Sequence, residues 1–187
     1  KFNTGYEFAD KKFAEQKSLA RKYVNKFFVE RGKSTTVIFL SDKPVMVEEH
    51  NIPDGKTNGG KPKYRQITSP ATFGERDPLK DSGVSRTSIV AYYTVIDGST
   101  YVDKNGKTHK WEKKLLAVKS QMFDVIKRRR ADIMESTGRE KNLAGAMFKV
   151  FRGTGDKTPS SGDDWQFQKH VKKATMLSLM AEHFHGD

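Results

Sequence analysis

Residues 86–97, RTSIVAYYTVID, contain the clearest strand pattern of the chain, because side chains alternate through a run of β-branched and aromatic residues. In an extended backbone, one face of this strand carries Ile89, Ala91, Tyr93 and Val95. The opposite face carries Arg86, Ser88, Val90, Tyr92 and Thr94. A face that combines a cation with an aromatic ring favours contact of Arg86 and Tyr92 with a ligand.

Periodicity and turn residues predict the elements on either side of this strand. The expected elements are an amphipathic helix over 10–30, strands over 34–40 and 45–50 joined as a hairpin, a strand over 107–118, a helix over 120–134, a strand over 145–152, a loop over 153–164, and a short extended piece followed by a helix over 165–183. This order predicts an α+β, mainly β fold. The expected architecture is a small barrel of antiparallel strands decorated by N-terminal, middle and C-terminal helices.

Residues 51–85 differ from the rest in being rich in Gly, Pro and polar residues, with few aliphatic ones. This composition predicts a long mobile loop, and ordered loops of such length are usually functional. The expected domain organisation is an N-terminal amphipathic basic helix or arm over 1–31, a core over 32–168 that includes this loop, and a C-terminal helix over 169–187.

The chain as a whole is strongly basic: 35 Lys and Arg against 23 Asp and Glu give a net charge of +12. This balance predicts a polyanionic partner. The absence of cysteine excludes disulfides and thiolate-bound zinc or iron–sulfur sites. No apolar run approaches the ~18–20 residues of a membrane span, so no membrane partner is expected.

Aromatic residues occur within the basic segments. Residues 104–130, KNGKTHKWEKKLLAVKSQMFDVIKRRR, hold ten Lys or Arg with Trp111 among them. Rings interleaved with cations are typical of proteins that bind unpaired nucleic acid, since bases stack on rings while cations neutralise phosphates. The alternative is a solvated basic face with the rings in the core. The residues predicted to bind nucleic acid are Lys63, Tyr64, Arg65, Arg86, Tyr92, Lys110, Trp111, Lys113, Lys149, Phe151 and Arg152.

Catalytic and metal-binding patterns are sparse in this chain. Residues 55–61 match the start of a phosphate-binding loop, but Pro62 stands where magnesium binding requires Ser or Thr. Asp97, Glu112 and Lys114 have the outline of a magnesium-dependent nuclease core, in which two carboxylates hold the metal and a lysine assists the water. The five histidines show no metal-ligand spacing. We therefore expect no catalysis, no metal and no cofactor, with the nuclease as the alternative.

Three blocks of the sequence resemble the core of the T-even-type bacteriophage single-stranded-DNA-binding (helix-destabilising) proteins. The first, TTVIFLSDKPVMVEEHNI (35–52), is similar to the family's entry strands. The second is SRTSIVAYYTVIDG (85–98) with THKWEKKLLAVKSQMFDVIKRRRADI (108–133), which resembles an Arg-x-Thr-Ser strand, a turn and a basic strand leading into a helix. The third, GAMFKVFRGTGDKTPSSGDDWQF (145–167), resembles a late strand with a returning aromatic residue.

The resemblance implies that residues 32–168 form an OB-type barrel holding single-stranded DNA in a basic, aromatic cleft. By matching position, it implies that Arg86 contacts the DNA strand and that Trp165 is a stacking residue. The T-even members insert a Cys/His zinc subdomain between the first and second blocks. Residues 51–85 contain neither Cys nor His, so that zinc site cannot exist here.

The expected function is sequence-independent binding and protection of single-stranded DNA in phage DNA replication, recombination or repair. The expected setting is the cytoplasm of the infected bacterial host, with phage replication or recombination proteins as further partners. An RNA-binding or annealing module is a second alternative, because it shares the electrostatics and differs only in its contacts to the 2′-OH.

Overall fold

The computed structural model describes residue 14 and the ranges 25–56, 59–102, 106 and 108–181. Most of the helix predicted over 10–30 lies outside these residues. In the part of the chain that is described, no helix is long and apolar enough to cross a membrane.

The described residues form nine strands and four helical segments. The strands are β1 (Ser34–Phe39), β2 (Val45–Lys56), β3 (Pro62–Thr68), β4 (Thr87–Asp97), β5 (Tyr101–Val102), β6 (Thr108–His109), β7 (Glu112–Val118), β8 (Ala146–Phe151) and β9 (Asp164–His170). The helical segments are a 3₁₀ helix (Pro70–Phe73), α1 (Pro78–Asp81), α2 (Ser120–Ser136) and α3 (Lys173–Ala181). The α+β, mainly β prediction is confirmed, and so are the middle and C-terminal helices.

Seven strands form one sheet in the order β3-β2-β4-β1-β8-β9, with β7 paired to β4. The pairings are antiparallel throughout, and β5 and β6 pair separately with each other. β4 is central: β7 pairs with its residues 91–97 on one edge, while β2 and β1 pair with 87–92 and 95–97 on the other. Within the described residues the sheet is open and no closed barrel forms.

The hairpin predicted for residues 34–40 and 45–50 is wrong. β1 and β2 both run antiparallel to β4 and follow each other along the same edge, so the chain does not reverse between them. Asp42 holds the intervening turn by accepting two hydrogen bonds from the Arg130 guanidinium, at 2.8 and 2.6 Å, and one from the Leu143 N–H at 3.1 Å. The bond from Arg130 lowers the pKa of Asp42 below its ordinary value. These partners are distant in sequence, and a local turn signal cannot include them.

The hydrophobic core lies on one face of the sheet. The alternation predicted for β4 is confirmed over residues 91–95 only, because Val90 and Ile96 on the opposite face are also buried. Ala91, Tyr93 and Val95 are buried, and the Tyr93 ring packs edge-on against Phe39 with centroids 5.3 Å apart. The helix residues that contribute to this core are Met122, Ile126 and Ile133 of α2. Ile89, near the start of β4, is 59% exposed and does not join the core.

The long loop predicted over 51–85 is wrong in its secondary structure. β2 continues to Lys56 and pairs with β3 as a β-hairpin, and the 3₁₀ helix and α1 follow. Every residue of β3 is exposed. Backbone ladder bonds do not depend on apolar side chains, so a polar sequence can extend a hairpin whose base is anchored in the sheet.

The segment 25–29 is extended, so the end of the helix predicted over 10–30 is wrong. The Phe27 N–H donates to the Leu115 carbonyl at 2.8 Å, which adds the segment to an edge of β7. Phe27 is buried whereas Phe28 is 57% exposed, as alternation along an extended chain requires. The apolar residues of this segment also fit a helical spacing. The segment is extended because its backbone pairs with β7.

The strand predicted over 107–118 is interrupted at Trp111. β6 ends at His109 and β7 begins at Glu112. Trp111 has a φ of 58°, in the left-handed region that few residues other than glycine adopt. Its ring packs on Gly98, where a Cβ would lie 2.8 Å from a ring carbon, so only glycine permits this approach.

A buried carboxylate fastens the segment after β3 onto the sheet. Asp77 caps α1 by accepting hydrogen bonds from the Leu79 and Lys80 N–H groups at 3.1 and 3.2 Å. Its other oxygen lies 2.7 Å from Nε2 of His50 and accepts a hydrogen bond from the Ser69 hydroxyl. Burial by itself raises the pKa of Asp77, but the hydrogen bonds from Ser69, His50 and Lys80 outweigh it and lower the pKa to about 2.

We expect this carboxylate to make the free energy of unfolding depend on pH in the acid range. Because its folded pKa lies below the ordinary 3.8, Asp77 stabilises the fold above pH 3.8, and this contribution is lost as the pH falls towards 2. Asp77→Asn should lower the free energy of unfolding at neutral pH and flatten its decline in that acid range, as measured by urea denaturation. Asp156→Asn controls for the loss of one charge, since that side chain is 90% exposed. Equal stability of Asp77→Asn and the wild type at neutral pH would contradict the prediction.

Candidate functional site

We call the face of the sheet opposite the core the outer face. Side chains of directly paired residues lie on the same side of a sheet, and these pairs trace the outer face across the strands: Asn51–Gln66, Val45–Tyr92, Tyr92–Ala117, Thr94–Leu115, Ile96–Lys113, Thr36–Lys149 and Ser34–Phe151. Ile38 and Ile96 are also paired and both are fully buried. They separate two exposed parts of the outer face, one on β2, β3, β4 and β7 and the other on β1, β8 and β9.

The first exposed part contains a groove around Tyr92. Two cavities, of about 410 and 340 Å³, share Tyr92 and Glu49 as lining residues. Such volumes fall within the ~300–1,000 Å³ of small-molecule sites. Its walls include the neutral side chains of Val45, Val47, Thr68, Thr94, Leu115 and Ala117, and the larger cavity is also lined by Lys26 and Lys119. We refer to this feature as the Tyr92 groove.

Hydrogen bonds and a cation fix the Tyr92 ring in this groove. Its hydroxyl donates to Oε1 of Glu49. The Lys26 ammonium lies 5.8 Å from the ring centroid and donates to Oε1 of Gln66 at 2.7 Å. Burial raises the pKa of Tyr92 far above its ordinary value, and Glu49 raises it further. The phenol therefore stays protonated and keeps donating to Glu49.

Glu49 brings an unsatisfied acceptor into the Tyr92 groove. Glu49 is 5% exposed, and its second carboxylate oxygen, Oε2, has no hydrogen-bond partner among the described residues. Buried polar atoms nearly always have a partner, because leaving one unpaired costs ~1–3 kcal/mol and more when it is charged. Glu49 lines the groove, so a donor group of a ligand that reached Oε2 would satisfy this acceptor.

The second exposed part of the outer face carries Lys149 and Phe151. Both are exposed, while Phe148 and Val150, which alternate with them, are buried, as in a strand with one face in the core. Lys149 and Phe151 border a cavity of about 210 Å³ together with Gln166 of the neighbouring strand β9. A ring and a cation therefore share one surface here.

Other predicted residues divide between the two sides of β3 and β4. Tyr64 is 56% exposed and lies two positions from Gln66, on the outer face. Lys63 and Arg65 alternate with Tyr64 and lie on the opposite side, so the structure does not bring them to the same surface. Arg86 is exposed and immediately precedes β4, at a position that alternation places on the side of Tyr92. Together with Lys113, which is exposed on β7, six of the predicted residues map to the outer face: Tyr64, Arg86, Tyr92, Lys113, Lys149 and Phe151.

Trp165 is a core residue, and the prediction that it stacks on a ligand is wrong. It is 1% exposed, and its ring centroid lies 5.8 Å from that of Phe148 and 5.9 Å from that of Phe39. Arg152 is also engaged within the protein, since it donates to the carbonyls of Val29 at 2.9 Å and Thr158 at 3.4 Å. These contacts fasten the loop after β8 and do not support the ligand contact predicted for Arg152.

Lys110 and Trp111 occupy the connection between β6 and β7. The Lys110 ammonium lies 5.7 Å from the centroid of the Trp111 ring, which is partly buried against Gly98. The close packing on Gly98 gives Trp111 a structural role at this corner of the sheet.

The three residues of the alternative nuclease site do lie together. Lys114 Nζ is 2.7 Å from Asp97 Oδ2 and 3.8 Å from Glu112 Oε2. Asp97 is 1% exposed and also accepts hydrogen bonds from the Thr35 hydroxyl at 3.0 Å and from the Ser99 N–H and hydroxyl at 2.9 and 2.7 Å. Both of its oxygens already have donors, so a metal ion would have to displace them.

Glu112 is similarly engaged. It accepts hydrogen bonds from the Tyr101 hydroxyl at 2.9 Å and lies 2.8 Å from Nδ1 of His109. Among residues 25–56, 59–102 and 108–181, no group of three or more His, Asp or Glu side chains is arranged to hold a metal ion. The arrangement ties β6 and β7 to the turn that follows β4.

Sequence reasoning missed Glu49, Lys26 and Gln66 in the Tyr92 groove. Lys26 falls in the predicted helix and Gln66 in the predicted loop, so neither could be assigned to a sheet face. Glu49 carried a usable signal, because it shares its strand face with Val45 and Val47. A carboxylate in line with two apolar side chains is unusual enough to mark a position for attention.

Comparisons of the chain with known protein families, with curated proteins and with solved structures find no significant match. The geometry of the outer face is therefore the ground on which a function can be assigned.

Proposed function

We propose that this protein binds single-stranded DNA along the outer face, mainly through stacking and phosphate contacts, and performs no catalysis. The observation that supports this most directly is that Tyr64, Tyr92 and Phe151 share the face opposite the core with Lys113 and Lys149. A face built for burial would not combine exposed rings with ammonium groups in this way.

Single strands fit this surface better than a duplex does. The exposed rings can stack only on bases that are already unpaired, and each stacked base contributes ~1–3 kcal/mol. The lysines contribute a term that depends on phosphate charge and not on sequence. Together the two contributions give binding that tolerates most sequences.

The finer parts of the proposal are an OB-type fold and a role in coating DNA during phage replication, recombination or repair. The resemblance of residues 35–167 to T-even-type proteins supports them. The segment 25–29 supports a barrel-like closure, because it pairs with β7 and its Val29 N–H also donates to the Ser160 carbonyl, at 2.8 Å, in the loop before β9. The setting we propose is the cytoplasm of an infected bacterium, with phage replication or recombination proteins as partners.

The nuclease is the less favoured candidate. Its residues are assembled, but the Asp97 carboxylate is already saturated by protein donors, and Lys114 neutralises the pair. An RNA-binding module uses the same rings and cations, and no contact that would distinguish a 2′-OH is evident among the described residues.

We expect single-stranded DNA to bind at least about tenfold more tightly than duplex of the same length, since one or two extra stacked bases suffice for this difference. If four to six phosphates are neutralised, the logarithm of affinity should fall against the logarithm of salt concentration with a slope of about −3 to −4. Fluorescence titration at several salt concentrations measures both quantities. Equal affinity for the two forms, or a flat salt response, would overturn the proposal.

Single variants should separate the contributions that the rings and the cations of the outer face make to binding. Tyr64→Ala and Phe151→Ala should each weaken binding by about 1–3 kcal/mol with little change in the salt slope. Lys113→Ala and Lys149→Ala should each make that slope less steep by about 0.7. Thermal melts should show all four variants folded, because these side chains are exposed. Trp165→Ala should instead lose about 3–5 kcal/mol of folding stability.

Matched controls test whether the outer face is the binding surface. Phe73→Ala removes a ring that is 74% exposed, on the 3₁₀ helix, which hydrogen-bonds to the backbone of Glu48 through Thr72 and lies outside the strands of the outer face. Arg128→Ala removes an exposed cation from α2, the helix on the core side of the sheet. Both controls should bind short oligonucleotides as the wild type does. Losses equal to those of the outer-face variants would place the DNA elsewhere.

Incubation with magnesium or manganese distinguishes the binder from the nuclease. Single-stranded DNA should remain intact during long incubation, because Asp97 has no free oxygen to offer a metal. Glu112→Gln should bind DNA with wild-type affinity. Metal-dependent cleavage that this substitution abolishes would establish the nuclease instead, as judged by denaturing gels of end-labelled DNA.

A further inference from the structure

We infer that the Tyr92 groove is a nucleobase subsite, in which Glu49 selects bases that carry an exocyclic amino group. This inference rests on the proposed function, because it names what one part of the outer face does when a single strand binds. It adds a compositional preference at one position to binding that is otherwise tolerant of sequence.

The unsatisfied oxygen of Glu49 carries the inference. One oxygen of the carboxylate accepts a hydrogen bond from the Tyr92 hydroxyl, and the other is buried without a partner among the described residues, on a side chain that lines the groove. An ionised carboxylate can only accept hydrogen bonds. The group that satisfies Oε2 must therefore be a donor, and burial makes its absence costly.

Two further side-chain atoms in the described part of the chain, both nitrogens, are buried without partners: Nδ1 of His50 and Nε of Arg152. Each belongs to a side chain held by other bonds, to Asp77 and to the carbonyls of Val29 and Thr158. Neither residue lines the Tyr92 groove. Glu49 is thus the case in which an unsatisfied atom and a cavity coincide.

The chemistry of the groove suits a base and not a phosphate. The Glu49 carboxylate repels the anionic backbone, and the smaller cavity has apolar walls at Val45, Val47 and Leu115. Lys26 and Lys119 line the larger cavity. A flat, neutral base can bury its ring against such walls and direct a polar edge to the carboxylate. The phosphates are then left to the exposed lysines at the margins of the outer face.

Gln66 adds a donor to the same groove. Its side-chain oxygen accepts from the Lys26 ammonium at 2.7 Å, and since an ammonium can only donate, the assignment of the amide oxygen is fixed. The remaining polar group of Gln66 is its NH₂. The groove therefore offers an acceptor from Glu49 and a donor from Gln66, which matches a base edge with an amino group beside an acceptor atom.

Cytosine presents such an edge, with its N4 amino group beside the acceptor N3, whereas uracil presents the carbonyl O4 beside N3–H. Uracil can offer Oε2 only its N3–H, which stands between the carbonyls O2 and O4, so a carbonyl oxygen also faces the Glu49 carboxylate and weakens the contact. Carboxylate side chains are used in nucleic-acid recognition to accept from the cytosine amino group. Adenine also carries an exocyclic amino group beside a ring acceptor.

The test compares oligo-dC with oligo-dU of about 12 nucleotides, within the ~4–16 nucleotides of typical single-strand sites. The two differ only in the hydrogen-bonding groups of the ring. Fluorescence anisotropy with the full chain should show dC bound at least about fivefold more tightly than dU, which corresponds to about 1 kcal/mol. This comparison needs no variant, so it does not depend on how well a mutant folds.

Glu49→Gln identifies the group responsible. The amide can donate to the uracil carbonyl, so the ratio of dC to dU affinity should fall towards one. Glu48→Gln is the matched control: it removes the neighbouring carboxylate, which pairs with Lys80 at 3.2 Å on the opposite side of β2, and it should keep the wild-type ratio.

The outcomes separate this inference from the proposed function. Tight binding of dC and dU with equal affinity would overturn the base subsite while leaving single-strand binding in place. A preference for dC that Glu49→Gln leaves unchanged would also overturn the role of Glu49. Failure of the chain to bind either oligonucleotide would overturn both proposals.

Discussion

The pairing of β4 on both of its edges is the constraint on which the rest of the structure depends. Three strands take their register from its backbone, and this register decides which side chains reach the core and which reach the outer face. A slip of one residue would exchange Tyr92 with Tyr93 and reverse every other position with them. The burial of Tyr93 against Phe39 and α2 opposes such a slip, so core packing also fixes the composition of the outer face.

Three aspartate carboxylates fix the segments that connect or follow the strands of the sheet. Asp42 binds Arg130 beside the turn between β1 and β2, Asp77 binds His50 below α1, and Asp97 binds Lys114 after β4. Asp77 and Asp97 are buried and Asp42 is partly buried. Each receives at least three hydrogen bonds, from residues both near and distant in sequence, which offsets the cost of burying charge. Glu49 differs, because one of its oxygens is left without a donor inside the Tyr92 groove. The three Asp carboxylates are satisfied by the fold, and the Glu49 carboxylate is not.

The two modes of binding proposed for the outer face, stacking and base recognition, place different demands on the sheet. Stacking needs exposed rings at roughly strand spacing, and the two halves of the face provide them around Tyr92 and Phe151. A base subsite needs a rigid acceptor, and Glu49 is held by the Tyr92 hydroxyl on a strand with neighbours on both sides. The lysines beside these rings provide the charge that a polyanion requires, without a fixed partner geometry.

The sequence by itself determined the central strand, the alternation along β4 and β8, the middle helix and the basic, aromatic character of the surface, because these depend on local periodicity and composition. Only the tertiary structure decided that residues 34–50 do not form a hairpin, that residues 25–29 add to β7, and that the polar stretch 51–68 is a hairpin. Those outcomes depend on backbone bonds to distant strand edges, which no local pattern records. Trp165 shows at a single residue that local sequence does not decide burial. A ring with polar neighbours in sequence can face the core or the solvent, and only the packing of the whole sheet determines which.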